Sequence, residues 1–284
     1  MYEIRTLEGV STEELHRAFA AAFSDYTVKV DLSLEKFTLM LIKNGFDAAC
    51  SLGAFNKNEL AGFVINGVRE WDGILTAYDS GTGVIPSCRK AGITTAMFDK
   101  LMGILSEKLI SRYLLEVIKT NIPAFNLYRK LGFRITREFL CFRAEKSELD
   151  FTSEKKFTVS KQQSGDWNRL KSFWDNQPSW QNSLESVTAL PCESVIVTAE
   201  SEGRIAGYGV IGKKSASIYQ LAVDRAFRNK GIGSEILRSL INETGASSIT
   251  CVNVDSRSQS AAGFLTKAGF KVFAEQYEMV KAVG

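Results

Sequence analysis

The chain carries one pattern twice. Around Arg89 it reads VIPSCRKAGITTAMFDKLM and around Arg228 VDRAFRNKGIGSEILRSLI: a valine, a short turn, Arg-x-x-Gly-x-small, then an apolar helical pattern. Residues 89 and 228 are 139 apart, and the later echo, LYRKLGF ending at Phe133 against FLTKAGF ending at Phe270, is 137 apart. Two landmarks that keep nearly the same spacing mark a duplicated folding unit rather than one large domain. A length of 284 residues accommodates two such units, each within the usual domain range of ~100–200 residues. Between them AEKSELDFTSEKKF, 144–157, is charged, rich in Ser, Lys and Glu, and without amphipathic period. It reads as an exposed connector, which puts the domains at 1–147 and 148–284.

Hydrophobic periodicity predicts, in the first copy, a strand at 2–7, helices at 12–23 and 33–44, strands at 46–55, 59–69 and 73–84, a helix at 91–107, a strand at 112–119, a helix at 122–131 and a closing strand pair to about 145. The second copy repeats this with strands at 193–200, 204–212 and 216–224, a helix at 231–243, a strand at 247–254, a helix at 257–268 and strands within 270–281. Strands joined by FNKN and VREWDG form antiparallel hairpins, whereas 73–84 and 112–119 flank a helix as a parallel crossover requires. The expected class is α/β: two tandem domains, each a mixed, mostly antiparallel sheet with helices on both faces.

Composition removes several functions. A net charge of +3, from 35 basic and 32 acidic residues, is no footprint for a nucleic-acid partner. No apolar run reaches the ~18 residues of a membrane span, and the N-terminal sequence lacks a signal-peptide pattern, so a cytoplasmic protein is expected. The five cysteines are scattered and never spaced C-x-x-C, and His16 is the one histidine. Neither a metal centre nor a His-based triad is expected.

The repeated turn is suited to an anion. A helix start leaves about four N–H groups without intrahelical partners and carries a partial positive charge, so a phosphate placed there meets donors and a favourable dipole. Gly231 and Gly233 let oxygens approach the amides, and Arg228 adds a cation. The Rossmann G-x-G-x-x-G and the P-loop Gly-Lys-Ser/Thr are both missing, which counts against those two phosphate sites.

VIPSCRKAGIT followed by NIPAFNLYRKLGF resembles motifs A and B of the GCN5-related N-acetyltransferases (GNAT), with a turn Arg/Gln-x-x-Gly-x-Gly/Ala and a helix Asn-x-x-Ala-x-x-Leu-Tyr-x-Lys-x-Gly-Phe. The first copy meets each helix position with Asn121, Ala124, Leu127, Tyr128, Lys130, Gly132 and Phe133, while Thr94 stands where the turn has Gly or Ala. The second copy matches the turn with Arg228, Gly231 and Gly233, but Ser258 replaces the asparagine and Leu265 the tyrosine. The resemblance covers both halves and implies acetyl-CoA as cosubstrate and a small-molecule or peptide amine as acceptor. It implies that Val84, Ile85, Arg89, Ala91, Gly92, Ile93, Thr94 and Asn121 hold the coenzyme in the first copy. Leu221, Val223, Arg228, Lys230, Gly231, Ile232, Gly233 and Ser234 hold it in the second.

Acyl transfer from a thioester needs a deprotonated amine, a polarised carbonyl and a protonated leaving thiolate. The resemblance implies that Tyr128 donates the last proton, that a backbone N–H near Val84 polarises the carbonyl, and that Asn121 holds the pantetheine arm. Glu116 and Asp79 are the candidate bases. Tyr219 and Ser258 are substitutes for the acid in the second copy. Two other readings stay open: a CoA-binding protein with one or both copies non-catalytic, and aminoacyl transfer from charged tRNA, against which the near-neutral charge counts. Trp167, Trp174 and Trp180 serve a core or line a pocket in the segment that corresponds to helices 12–44.

Overall fold

The computed structural model describes residues 2–25, 32–149, 157–163 and 165–284. Two compact units emerge: Met1–Val117 with Asn121–Thr136 and Glu278–Gly284, and Ile118–Thr120 with Arg137–Tyr277. No single cut of the chain near residue 148 separates them. Half of the expected connector, 150–156, lies outside the described residues.

The first unit runs β1 (Glu3–Thr6), α1 (Thr12–Ala22), α2 (Leu34–Asn44), β2 (Leu52–Asn56), β3 (Glu59–Trp71), β4 (Ile74–Val84), α3 (Ile93–Glu107), β5 (Arg112–Ile118) and α4 (Ile122–Lys130). Ser11 opens α1 by accepting from the Glu14 amide at 3.1 Å, with Glu13 and Glu14 at the positive end of the helix dipole. Asp72 and Gly73, both at positive φ, form the two-residue turn that joins β3 to β4. β1 to β4 are antiparallel in order, and β5 joins β4 in parallel. The strand predicted at 46–55 begins only at Leu52, because Asp47 accepts from the Cys50 amide at 2.9 Å and winds 48–50 into a short turn.

Alternation along β3 serves two helical layers. Phe63 packs with Phe19 of α1 and Phe37 of α2. A Cβ on its neighbour Gly62 would lie 3.3 Å from Ile93 of α3, on the opposite face. His16 packs against Phe37 with Nε2 2.7 Å from the Leu32 carbonyl, a structural setting.

The second unit contains β7 (Thr158–Gln162), α5 (Trp167–Lys171), α6 (Leu184–Thr188), β8 (Ser194–Ser201), β9 (Arg204–Gly212), β10 (Ile218–Val223), α7 (Ile232–Ile241), β11 (Ser248–Asp255) and α8 (Gln259–Lys267). Its antiparallel sheet has the order β10-β9-β8-β7. Ile236, Leu237 and Leu240 of α7 cover one face and Leu170, Phe173 and Val187 the other. α5 and α6 are five residues each, much shorter than the helices at 12–22 and 34–44 to which this segment corresponds.

The predicted closing strand pairs are single long strands, β6 (Arg134–Glu145) and β12 (Lys271–Ala282). Residues 139–145 of β6, from the first half of the sequence, pair antiparallel with β11 within the second unit. Residues 278–284, from the second half, complete the first unit, where Val283 N–H donates to the Ser111 carbonyl at 3.0 Å. Neither strand carries the turn residues that would split it into a hairpin.

Gly67 of β3 fixes α2 against the sheet. A Cβ there would stand 1.8 Å from the Asn44 carbonyl oxygen at the end of α2, where Gly45 turns the chain at φ 74°. Gly67→Ala is therefore expected to destabilise the first unit by roughly 3 kcal/mol in urea unfolding, because backbone must move to admit the methyl; an unchanged midpoint would contradict this packing.

Candidate active sites at two strand-to-helix turns

In both units the last strand of an antiparallel run parts from its parallel neighbour where a helix begins. β4 pairs with β5 only from Thr76↔Arg112 to Asp79↔Leu115, although β4 continues to Val84 and β5 to Ile118. β10 and β11 approach through a single parallel bridge, Ser217↔Thr250. A bulge starts each departure: Ser80 is skipped in the β3–β4 register and Tyr219 in the β9–β10 register. Positions 80 and 219 are again 139 apart. A bulge increases local twist, which turns the strand end away from its neighbour.

Backbone direction beyond the bulge is readable from alternation. Ile85 N–H donates to the Ala61 carbonyl and Asp224 N–H to the Ala206 carbonyl, each at 2.9 Å. Val84 and Val223, one residue earlier, therefore turn their amides to the opposite side, toward the opening. Ile85, expected among the coenzyme donors, has its amide committed to β3.

The helices then start on glycines. Gly92 at φ 73° and Gly231 at φ 92° are the N-caps of α3 and α7, and no side chain caps either helix. Lys90 (φ 64°) and Asn229 (φ 60°) are left-handed as well, so each turn has two left-handed residues two positions apart. Such a turn leaves the helix-opening amides at Ile93, Thr94, Ile232 and Gly233 directed outward, while Ser234 N–H donates back to the Gly231 carbonyl at 3.1 Å. Lys230 lies over the Phe227 ring at 4.9 Å, and Ala91, its counterpart, is exposed. Gly233 serves packing, since a Cβ there would come within 3.3 Å of the Phe264 ring.

The two arginines have other partners than the anion expected from sequence. Arg89 donates to the Val84 and Ala22 carbonyls and makes a two-pronged pair with Asp25 at 2.6 and 2.7 Å. Arg228 repeats the pattern with the Val223 and Phe173 carbonyls and Asp175, at 2.9 Å. Each guanidinium thus ties the strand end to the segment ahead of the sheet, its charge balanced by a carboxylate. The hydrogen bond from Arg89 is the main cause that holds Asp25 below the usual carboxylate range. Burial alone would raise Asp175, but Arg228 and Arg225 hold it low.

At the fork of the first unit two carboxylates meet two phenols. Asp79, the last paired residue of β4, is buried; its Oδ1 accepts from Gly81 N–H at 3.0 Å, and its Oδ2 from the Thr82 hydroxyl at 2.7 Å and the Tyr128 hydroxyl at 3.4 Å. Burial pushes its pKa up to about 6, against the pull of those three bonds. Glu116, the first residue of β5 beyond the pairing, accepts from the Tyr78 hydroxyl at 2.5 Å. Of the two candidate bases it is therefore Asp79 that reaches Tyr128. Tyr128 also packs edge-on to Phe98 and Phe133, and the Asn121 side-chain Oδ1 caps α4 by accepting from the Ala124 amide at 3.3 Å.

The second unit holds an open cavity of about 400 Å³ at the same place, lined by Leu221, Val223, Arg228, Gly231 to Ser234, β11 and α8. Its chemistry differs. Positions corresponding to Asp79, Glu116 and Tyr128 are Ile218, Asn253 and Leu265. Tyr219 Oη shares a 2.9 Å hydrogen bond with Ser215, and Ser258 Oγ accepts from Asn176 at 2.6 Å. Trp174, which lines the cavity, donates its indole N–H to Tyr208; Trp180 is fully buried, and Trp167 packs edge-on to Tyr208. Asn182 lines the cavity too, and nothing in the sequence pattern marks it.

Comparison with known proteins agrees with this geometry in both halves. Residues 12–133 match the profile described as Acetyltransferase (GNAT) family, and residues 192–272 the Acetyltransferase (GNAT) domain. A GCN5-related N-acetyltransferase of Sphaerobacter thermophilus superposes with TM-score 0.73 at 16% identity, over 99% of this chain and 96% of that one. A tandem GNAT protein from the clavulanic acid biosynthesis pathway superposes with TM-score 0.71 at 13% identity, over 100% of this chain and 99% of that one. At such identities the likeness is one of fold. No curated protein matches the chain in sequence. Among the described residues no helix is long and apolar enough to cross a membrane.

The Asp79 carboxyl gives a test with a defined sign. Its folded pKa near 6 lies above the unfolded value near ~3.9, so ionisation penalises the native state above about pH 6 and not below about pH 4. Asp79→Asn removes that penalty, while its lost hydrogen bonds shift stability by a pH-independent amount. The variant's stability relative to wild type is expected to rise by roughly 2 kcal/mol between pH 4 and pH 7 in urea titrations; a flat difference would mean that Asp79 does not titrate as a buried acid.

Proposed function

The chain belongs to the GCN5-related N-acetyltransferase superfamily as a tandem member, and from that premise we propose that it transfers an acetyl group from acetyl-CoA to a primary amine of a small molecule or peptide, with the chemistry in the first unit. The observation that carries this reading is the Tyr128–Asp79 pair at the β4–β5 fork, for which the second unit has Leu265 and Ile218.

The residues fit the coenzyme. Uncapped amides at Gly92 to Thr94, and at Gly231 to Gly233, would hold its diphosphate, and the outward amides of Val84 and Val223 would hold the arm that enters the fork. Because Arg89 and Arg228 are already paired, their part is to hold the turn in shape. When bound, acetyl-CoA supplies the thioester, with its electrophilic acyl carbon and its thiolate leaving group.

This chain's own groups then manage protons. Tyr128 holds a proton on Oη within reach of the fork, and Asp79, with a pKa of about 6, accepts one at neutral pH and returns it to Tyr128. Glu116 stands on the opposing strand at the same level, a carboxylate suited to receive a cationic amine. The second unit keeps the turn and the cavity without these groups, which favours a non-catalytic binding role for it.

Tyr128→Phe keeps the ring packing and removes the proton. It is expected to lower kcat by roughly 10²–10³, with KM for acetyl-CoA within about twofold in an assay of released thiol over amines, amino acids, aminoglycosides and polyamines. Unchanged turnover on an accepted amine would take Tyr128 out of the mechanism.

A further inference from the structure

The first unit carries an amine of its own beside the carboxylate proposed to receive the acceptor. α2 ends at Asn44, whose carbonyl stands against Gly67 of β3, and the Lys43 carbonyl accepts from Arg69 Nη2 at 3.0 Å, so the backbone of Lys43 is fixed over the sheet. Gly67 is in register with Tyr78 of β4, and Tyr78 with Leu114 of β5. Side chains alternate along a strand, so Tyr78 and Glu116 share the face that α2 covers, while Asp79 points to the other face, where it meets Tyr128. β5 lies two strand spacings of ~4.8 Å from Gly67. The four-carbon stem of Lys43 and the side chain of Glu116 bridge that gap together, and the ammonium feels the attraction of the carboxylate. Burial of the ammonium lowers its pKa to about 8, outweighing the attraction of Glu116, and Arg69 adds repulsion.

An ammonium beside a carboxylate commonly serves the fold as an ion pair. Two features set this one apart. Its carboxylate is the first residue of β5 beyond the pairing with β4, where the fork opens. At pH 8 about half of Lys43 is the neutral, nucleophilic amine, against less than ~1% of a solvated lysine. We propose that Lys43 is an acetyl acceptor within the chain, modified by its own first unit when no outside amine fills the fork. This inference rests on the acetyl transfer proposed above. The lone pair of neutral Lys43 Nζ attacks the acyl carbon; the N–C bond forms and the C–S bond breaks. Glu116 takes the amine proton and passes it to solvent, the leaving thiolate takes the Tyr128 proton, and Asp79 relays a proton from solvent back to Tyr128. The products are N-acetyl-lysine at position 43 and free coenzyme A, with nothing oxidised or reduced.

The test incubates the full chain with acetyl-CoA and no added amine, and follows every lysine by peptide mass spectrometry. Lys43→Arg, Tyr128→Phe and Glu116→Gln are compared after thermal melting verifies that each is folded. Lys43 is expected to gain one acetyl group sooner than any other lysine, and no comparable site should appear in Lys43→Arg. Its rate constant should stay within about twofold over a tenfold range of chain concentration and fall at least roughly tenfold in Tyr128→Phe. Without acetyl-CoA, side-chain NMR should show Lys43 titrating near pH 8, and lower still in Glu116→Gln, where the carboxylate's attraction is gone. Lys43 left unmodified, modified as fast in Tyr128→Phe, or modified in proportion to chain concentration overturns the inference, as does a Lys43 that titrates above about pH 10. If an added amine is turned over while Lys43 stays unmodified, the acetyltransfer reading stands and this inference alone falls; transfer to neither sinks both.

Discussion

Everything functional here depends on a helix that begins on a left-handed glycine and is left uncapped. At Gly92 and Gly231 the backbone turns in a way that side-chain-bearing residues resist, and no serine or aspartate closes the helix end. The first-turn amides are then directed outward, with the positive end of the helix dipole behind them. An arginine holds each turn to the strand before it, paired to Asp25 in one unit and Asp175 in the other. Balanced in this way, the arginines act as struts, and under the proposed function the grip on an anion falls to the backbone amides.

The duplicated scaffold has diverged in what it places beside that turn. In the first unit the fork carries Asp79, Glu116, Tyr78 and Tyr128, groups that can accept and return protons. In the second the corresponding wall is Ile218, Asn253 and Leu265 around an open cavity. Burial of Asp79 lifts a carboxylate into the range where it exchanges protons near neutrality. A turn and cavity without those acid and base groups suit the ligand-holding role proposed for the second unit.

Much of this was legible in the sequence because local chemistry decides it. The spacing of 139 residues fixed the equivalence of Arg89 with Arg228, and the same interval turned out to relate the bulges at Ser80 and Tyr219. The hairpin joint VREWDG announces its turn by rules that act over a few residues, and the turn falls at Asp72-Gly73. What escaped is non-local. Asp25 and Asp175 sit in stretches without a motif, so the pairing that neutralises the arginines cannot be read from the turn. The distribution of β6 and β12 between units depends on which edge each strand finds, since an alternating strand pattern is compatible with either unit. Glu116 and Asp79 looked alike as carboxylates on strands; only the parting of β4 from β5 after Leu115 shows which one reaches Tyr128.

The central claim is that the helix-opening amides grip a diphosphate, and it is tested most directly by calorimetric titration of the whole chain with coenzyme A and with pantetheine, which lacks the diphosphate. Charge-assisted hydrogen bonds from several preorganised amides predict that coenzyme A binds at least roughly a hundredfold more tightly. Equal affinity for the two would contradict the account, since the turn would then contribute nothing to recognition.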